Sequence, residues 1–277
     1  MKISLCNEVI AEYDFARQCD FAARLGYDGI ELAPYTVSDE PTKLTAAERA
    51  RLRKAAADAG IGITSLHYLM RAPAGLSITS ADEMQRKRTI DVMRGLCALA
   101  ADLGAKVLVH GSPDQRRLDE EHESEGRRRG VACFAAIADA AAAAGVVYCI
   151  EPLSTHQTAF INTVEEAAAI VGEIKNPAVR TMIDCSAAAL TETQTIPELI
   201  RRWVPKGVIG HVHFNDPNRR GPGEGNLAFA PILSALRSEN YHGNAAIEPF
   251  VYEPDGPACA ARGIGYIRGI LAGMPTP

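Results

Sequence analysis

The sequence predicts an α/β fold, a closed (β/α)8 TIM barrel. Three observations carry that reading: eight short β-rich apolar runs, a helical pattern after each, and no composition break along 277 residues. A chain of this length exceeds one ordinary domain but suits one eight-stranded barrel, so a single domain over residues 1–277 is expected. A doubly wound open sheet would have fewer strands and a glycine-rich phosphate turn after the first, and LCNEVI has none.

The units follow in order. KISLCNE (2–8) precedes the helical DFARQCDFAARLG (14–26), closed by Gly26, and YDGIELAPY (27–35) precedes TAAERARLRKAAADAG (45–60), closed by Gly60. GITSLHYL (62–69) leads to DEMQRKRTIDVMRGLCALAADLG (82–104) and Gly104. KVLVHGS (106–112) leads to GRRRGVACFAAIADAAAAAG (126–145) and Gly145; its alanines are the best helix formers and let a helix lie close to the barrel. VVYCIEPLS (146–154) is followed by TVEEAAAIVGEIK (163–175), and VRTMIDCS (179–186) by IPELIRRWV (196–204), whose Trp203 is expected in the core. VIGHVHFND (208–216) precedes APILSALRSEN (230–240), and NAAIEPFV (244–251) precedes ACAARGIGYIRGIL (258–271).

Hydrophobic residues at 47% and charged residues at 23% describe a globular chain with a large core. No run reaches the eighteen apolar residues of a membrane span, and MKISLCNEVI lacks the apolar centre of a signal peptide, so no membrane partner and a cytoplasmic location are expected. Seven scattered cysteines without a CxxC pair are expected as buried free thiols. A net charge of −5 argues against nucleic acid as a partner. The basic EGRRRG (125–130) follows an acidic run and is expected in a solvated helix start.

In such a barrel the catalytic groups come from the C-terminal strand ends. Those ends carry Asn7 and Glu8, Glu31, His67, His110 with Ser112, Glu151, Asp184, His211 with His213, and Glu248. Burying several unpaired carboxylates together costs several kcal/mol unless a cation neutralises them, so one divalent metal ion is expected. A shell of carboxylates and imidazole without thiolate suits Mn²⁺, Co²⁺, Mg²⁺ or Zn²⁺ and argues against iron–sulfur or copper. The tripeptide IEP closes an apolar run at 150–152 and again at 247–249, with the proline ending the strand. Glu151 and Glu248 thus come from strands on different sides of the mouth, where two carboxylates facing one carbon suit proton removal and return.

These residues resemble the xylose-isomerase-like barrels, the sugar phosphate isomerase/epimerase family, and within it the ketose (tagatose or psicose) 3-epimerases. The likeness covers almost the whole chain and rests on GSPDQR, IEPLSTHQTAFINTVEEA, MIDCSAA, HVHFNDPNRRGPGEGNLAFAPIL and AAIEPF. It implies a metal held by Glu151, Asp184, His213 and Glu248, with Mn²⁺ favoured, and Glu151 and Glu248 serving also as acid/base catalysts on an enediolate path. His213 is preferred to His211 because the family's substrate-binding arginine lies six residues past the ligand, which here is Arg219. His211, Gln157, His67 and Glu31 are the other expected substrate-site residues, with a buried structural role open for His67 and Glu31 and a role supporting the ligand groups open for His211. Where the family has a second glutamate and a histidine this chain has Gln157 and Ala187. That departure predicts a pocket with one polar contact fewer and more room.

The resemblance therefore implies a metal-dependent sugar epimerase or isomerase with a small sugar as partner, and leaves a homo-oligomer open. Its rival is a metal-dependent eliminase or epimerase acting on 3-keto-glycosides. An abasic-site endonuclease is disfavoured by the acidic charge, and a non-catalytic binding subunit by the complete ligand set.

Overall fold

The computed structural model describes residues 1–275. Eight parallel strands close into a barrel in chain order: β1 (Lys2–Cys6), β2 (Gly29–Leu32), β3 (Gly62–Leu66), β4 (Val107–His110), β5 (Val147–Ile150), β6 (Val179–Asp184), β7 (Ile209–Phe214) and β8 (Asn244–Ile247). β8 pairs with β1 to complete the ring. The predicted barrel and all eight runs are present. All eight strands are shorter than the runs, because the last residues of each run leave the ladder, into a βα loop or, after β6, into a helix. Pro152 and Pro249 have no N–H to give the sheet, so β5 and β8 stop just before Glu151 and Glu248.

The outer ring comprises α1 (Phe15–Leu25), α2 (Ala46–Asp58), α3 (Glu83–Leu103), α4 (Glu123–Ala136), α5 (Ala138–Ala144), α6 (Val164–Ile174), α7 (Cys185–Thr191), α8 (Ile196–Trp203), α9 (Phe229–Ser238) and α10 (Gly256–Gly273). Capping boxes Thr45–Glu48 and Thr195–Glu198 start α2 and α8, and Gly26, Gly104 and Gly145 close three helices in the left-handed region. Two differences from the sequence reading concern helices. The fourth helical stretch is two helices meeting at Ile137. Residues 185–186, expected as strand, open α7, because the Asp184 carboxylate accepts the Ala187 N–H at 2.6 Å and caps a helix there.

The main core lies between barrel and helices. Within the barrel a small apolar cluster of Val107, Val109, Cys149 and Met182 is fully or nearly fully buried. The period of two along a strand carries this inward face upward from Val109 to Gly111, Cys149 to Glu151 and Met182 to Asp184. Asp184 stands opposite His213 and His213 opposite Ala246 in the ladder. Register shifts fall between Ile30 and Glu31 and between Thr181 and Met182, the first just before Glu31 and the second where Met182 comes to pair with His211. All seven cysteines are buried and free, and Trp203 is buried. EGRRRG lies in the first half of α4, where Arg127 pairs with Glu123 and Glu166, and Arg128 with Glu125. Among the described residues no helix is long and apolar enough to cross a membrane.

Candidate active site

Glu151, Asp184, His213 and Glu248 converge at the C-terminal mouth, each offering one donor atom within 4.8 Å of the others. The His213 ring sets the geometry. Its Nε2 lies 2.8 Å from a Glu31 oxygen, and since a carboxylate accepts, the proton belongs on Nε2. Nδ1 then turns a lone pair upward, buried and without a hydrogen-bond partner. It faces Glu248 Oε2 at 2.9 Å, Glu151 Oε1 at 3.4 Å and Asp184 Oδ2 at 3.7 Å. A lone pair against three carboxylate oxygens is repulsive unless something positive sits among them. One imidazole nitrogen and three carboxylates fit a divalent cation.

Below this set lies a second polar layer. Glu31 receives Ser65 Oγ at 2.5 Å and lies 2.7 Å from His211 Nε2. Burial pushes the Glu31 carboxyl up, but the charges and hydrogen bonds of His211 and His213 hold it well below the usual range. Burial works against a second proton on His213, but with no cation among the carboxylates Glu248 and Glu31 outweigh burial and raise the group, so a proton on Nδ1 takes the place a cation would fill. His67 Nδ1 lies 2.9 Å from Glu248 Oε1 and its Nε2 3.1 Å from Glu8 Oε2. Burial lowers His67, yet Glu248, Glu8 and Glu31 outweigh it and carry it to about 9. The two strand-end glutamates diverge. Desolvation carries Glu151 to about 7 against the pull of His213, whereas in Glu248 the same desolvation is overcome by His213 and His67, leaving it at about 2.

Above the four donors opens a cavity of about 640 Å³. Glu151, Asp184 and Glu248 form its floor, and Gln157 and Arg219 border it. Glu31, His67, His211 and His213 are 0–1% exposed and lie outside the lining, beneath the floor. Gln157 folds back so that its Oε1 accepts from Ser154, leaving its amide hydrogens as the donors on offer. Arg219 has a left-handed backbone (φ 69°), its carbonyl accepts from Phe250 N and Val251 N, and its guanidinium lies 5.5 Å from the Phe250 ring centroid. Ala187 is buried and does not line the cavity, whereas Ser186 and Leu190 of the same helix α7 border it. His110 packs on Phe134 and meets Tyr148 Oη, which makes it a core residue.

Three further residues shape the site without having stood out in the sequence. Asn215 Nδ2 donates to Asp184 Oδ2 at 2.7 Å and to Glu248 Oε2 at 3.3 Å, while its Oδ1 accepts from Ser186 N. Its place two residues past His213 on an apolar strand was the available signal. Arg116, fully buried, donates to the Glu151 carbonyl at 2.8 Å and fixes the end of β5. Gly111 leaves the space that the Glu151 carboxylate fills: a Cβ there would lie 1.5 Å from Glu151 Oε2. Neither the arginine nor the glycine gave a sequence signal beyond its place in GSPDQR.

The chain is similar in sequence and fold to known sugar epimerases. The chain is 28% identical over 244 residues to a D-psicose 3-epimerase of Enterocloster bolteae, covering 87% of this chain and 78% of that one. It is 32% identical over 122 residues to a 3-dehydro-D-guloside 4-epimerase of Escherichia coli, covering 44% of this chain and 45% of that one. A crystal structure of D-psicose 3-epimerase in the presence of D-fructose superposes with a TM-score of 0.83, at 24% identity and covering 99% of this chain and 100% of that one. The xylose isomerase-like TIM barrel profile matches residues 19–270. With the profile covering most of the chain and the strand order that of a closed barrel, the chain belongs to the xylose isomerase-like TIM barrel family.

Proposed function

We propose that this protein is a divalent-metal-dependent sugar epimerase that inverts a carbon next to a ketone, with the machinery carried by the single barrel. The observation that supports this most is the unpartnered, upward-facing His213 Nδ1 ringed by Glu151, Asp184 and Glu248 on the cavity floor. These four residues would hold the ion, with Mn²⁺ the first candidate. A bound divalent ion would supply Lewis acidity toward adjacent carbonyl and hydroxyl oxygens of a keto-sugar, making the C–H of the hydroxyl-bearing carbon easier to deprotonate.

The chain's own residues supply the rest. Glu151 follows β5 and Glu248 follows β8, so their carboxylates reach the floor from different strands and can face one carbon from two sides. One, ionised, takes the proton onto its own carboxylate while the other, protonated, delivers a different proton to the opposite face, which inverts the centre, and exchange with solvent resets the pair. His67 occupies Oε1 of Glu248 and leaves Oε2 directed to the site, while the contact with Gly111 fixes Glu151. Glu31 and His211 orient His213 from below, the positioning role rather than the substrate contact among the roles left open for them. Gln157 and Arg219 are the donors placed to bind sugar hydroxyls.

The relatives named as sugar 3-epimerases favour a ketose and inversion at C3. A second reading, a keto-glycoside substrate, draws on the relative named 3-dehydro-D-guloside 4-epimerase. Incubating metal-loaded protein with ketoses and 3-keto-glucosides in D₂O separates them. Deuterium at C3 of an inverted ketose supports the first, deuterium at C4 of a 3-keto-glucoside the second, and release of the aglycone elimination. Absence of solvent exchange in every sugar would end the epimerase reading.

A further inference from the structure

One carboxylate on the cavity wall has no part in the chemistry described so far. Glu8 follows β1 and borders the same cavity as Glu248, yet among the described residues it belongs to no set that could share a metal ion. Its side chain is 16% exposed, and its one ion-pair partner among the described residues is His67. Tyr35 Oη donates to Glu8 Oε1, and His67 Nε2 lies 3.1 Å from Oε2. A carboxylate offers about four lone-pair sites, so two remain, and the cavity is the open space beside them. The other nitrogen of His67 is 2.9 Å from Glu248 Oε1, so a single imidazole separates Glu8 from a carboxylate placed in the reaction.

The chain holds this group firmly. Asn7, fully buried, accepts Ala33 N at 2.8 Å and donates to Gln18 Oε1 at 3.1 Å and Thr36 Oγ1 at 2.9 Å. Those bonds tie the turn after β1 to the turn after β2 that carries Tyr35. Burial and then the hydrogen bond to Glu8 push the Tyr35 phenol up, so it remains the donor and Glu8 the acceptor. A side chain fixed on two partners loses little freedom when it meets a ligand. Glu31 supplies the contrast. It supports His213 as Glu8 supports His67, but it is 0% exposed and its oxygens face Ser65, His211 and His213 beneath the floor. Supporting a histidine does not require reach into the cavity, and Glu8 has that reach.

We propose that Glu8 binds substrate, accepting a hydroxyl of the ketose other than the one on the inverted carbon, and so selects sugars that bear it. Gln157 after β5 and Arg219 after β7 offer donors from one part of the mouth, and Glu8 offers the acceptor from β1. An ether oxygen at that place would meet only lone pairs, and a phosphate or carboxylate would meet like charge. This inference rests on the ketose epimerase reading and adds a specificity residue to it.

The test follows deuterium uptake from D₂O with metal-loaded parent, Glu8→Gln and Glu8→Ala, on D-fructose and its 1-deoxy, 4-deoxy, 5-deoxy and 6-deoxy analogues. In the parent at least one analogue should lose about 10- to 100-fold in kcat/KM against fructose, as expected when a hydrogen bond to a charged group is removed. Glu8→Ala should bring that fructose-to-deoxy ratio toward one, and Glu8→Gln, which keeps one acceptor oxygen and the shape, to an intermediate value. If Glu8→Ala is too unstable to assay, the ratio in Glu8→Gln decides. A Glu8 that acts only through His67 and Glu248 would slow all five sugars by one factor and leave every ratio in place. That result, or a parent indifferent to all four deoxygenations, would overturn the proposal while leaving an epimerase. Absence of exchange in all five sugars would remove the ketose reading and this inference with it.

Discussion

Replacing Gly111 with alanine isolates the catalytic geometry from the fold. The added Cβ would lie 1.5 Å from Glu151 Oε2 and 2.7 Å from its carboxyl carbon, so the carboxylate must retreat by about 2 Å to reach ordinary contact. Gly111 is not among the residues of positive φ, so alanine fits its backbone. The atom that yields is the end of a side chain bordering a cavity, and fewer unfolded conformations offset what strain remains. The barrel should therefore fold with a melting temperature within a few degrees of the parent. Activity should not survive as well. A misplacement of 1 Å at a reacting group costs about 10²-fold, and Glu151 is placed here both as a metal ligand and as an acid/base group. We expect kcat/KM for solvent exchange to fall by at least about 10²-fold, with weaker Mn²⁺ binding by calorimetry. A folded Gly111→Ala protein with exchange within threefold of the parent and unchanged metal affinity would refute the assignment of Glu151.

Three other expectations follow from the same structure. Glu31→Gln removes the charge that fixes the His213 tautomer and should weaken metal binding about 10- to 100-fold by competition titration; an unchanged dissociation constant would show that Glu31 serves only the core. Chelation should abolish exchange, and adding Mn²⁺ back at a hundredfold excess over its dissociation constant should stabilise the chain by about 2.7 kcal/mol; a melting temperature indifferent to metal counts against the site. Gly256→Ala places a Cβ 1.6 Å from the Val9 carbonyl, a backbone atom that cannot swing aside. It should cost about 1–3 kcal/mol, seen as a melting temperature lowered by several degrees, and an unchanged value would mean that the turn after β1 yields more easily than its packing indicates.

The contrast between those two glycines shows what a sequence can disclose. Periodicity revealed all eight strands and nearly every helix, since burial on a barrel imposes it along each element. Strand ends were less legible, because Asn7, Glu8 and His67 continue the apolar runs in sequence but leave the ladder in space. Helix α7 carried a local signal, an aspartate followed by an alanine run, masked by the strand reading of VRTMIDCS. Carboxylates and histidines closing apolar strands pointed to Glu151, Asp184, His213 and Glu248. The contact of His213 with Glu31, 182 residues away, depends on barrel register and closure, which residue types alone do not encode. Gly111 works by lacking a side chain, and its role appears only once Glu151 is seen filling the gap.

The Arg219 carbonyl receives the amides of both Phe250 and Val251, at 2.8 and 2.9 Å. Two stretches that neighbour His213 and Glu248 are thereby stitched together by main chain alone, whatever side chains they carry. For anyone redesigning selectivity, 216–220 and 249–252 form one cassette. Exchanging either segment for one of another backbone path would leave the Phe250 and Val251 amides without their acceptor, whereas moving both as a pair transplants the seam intact.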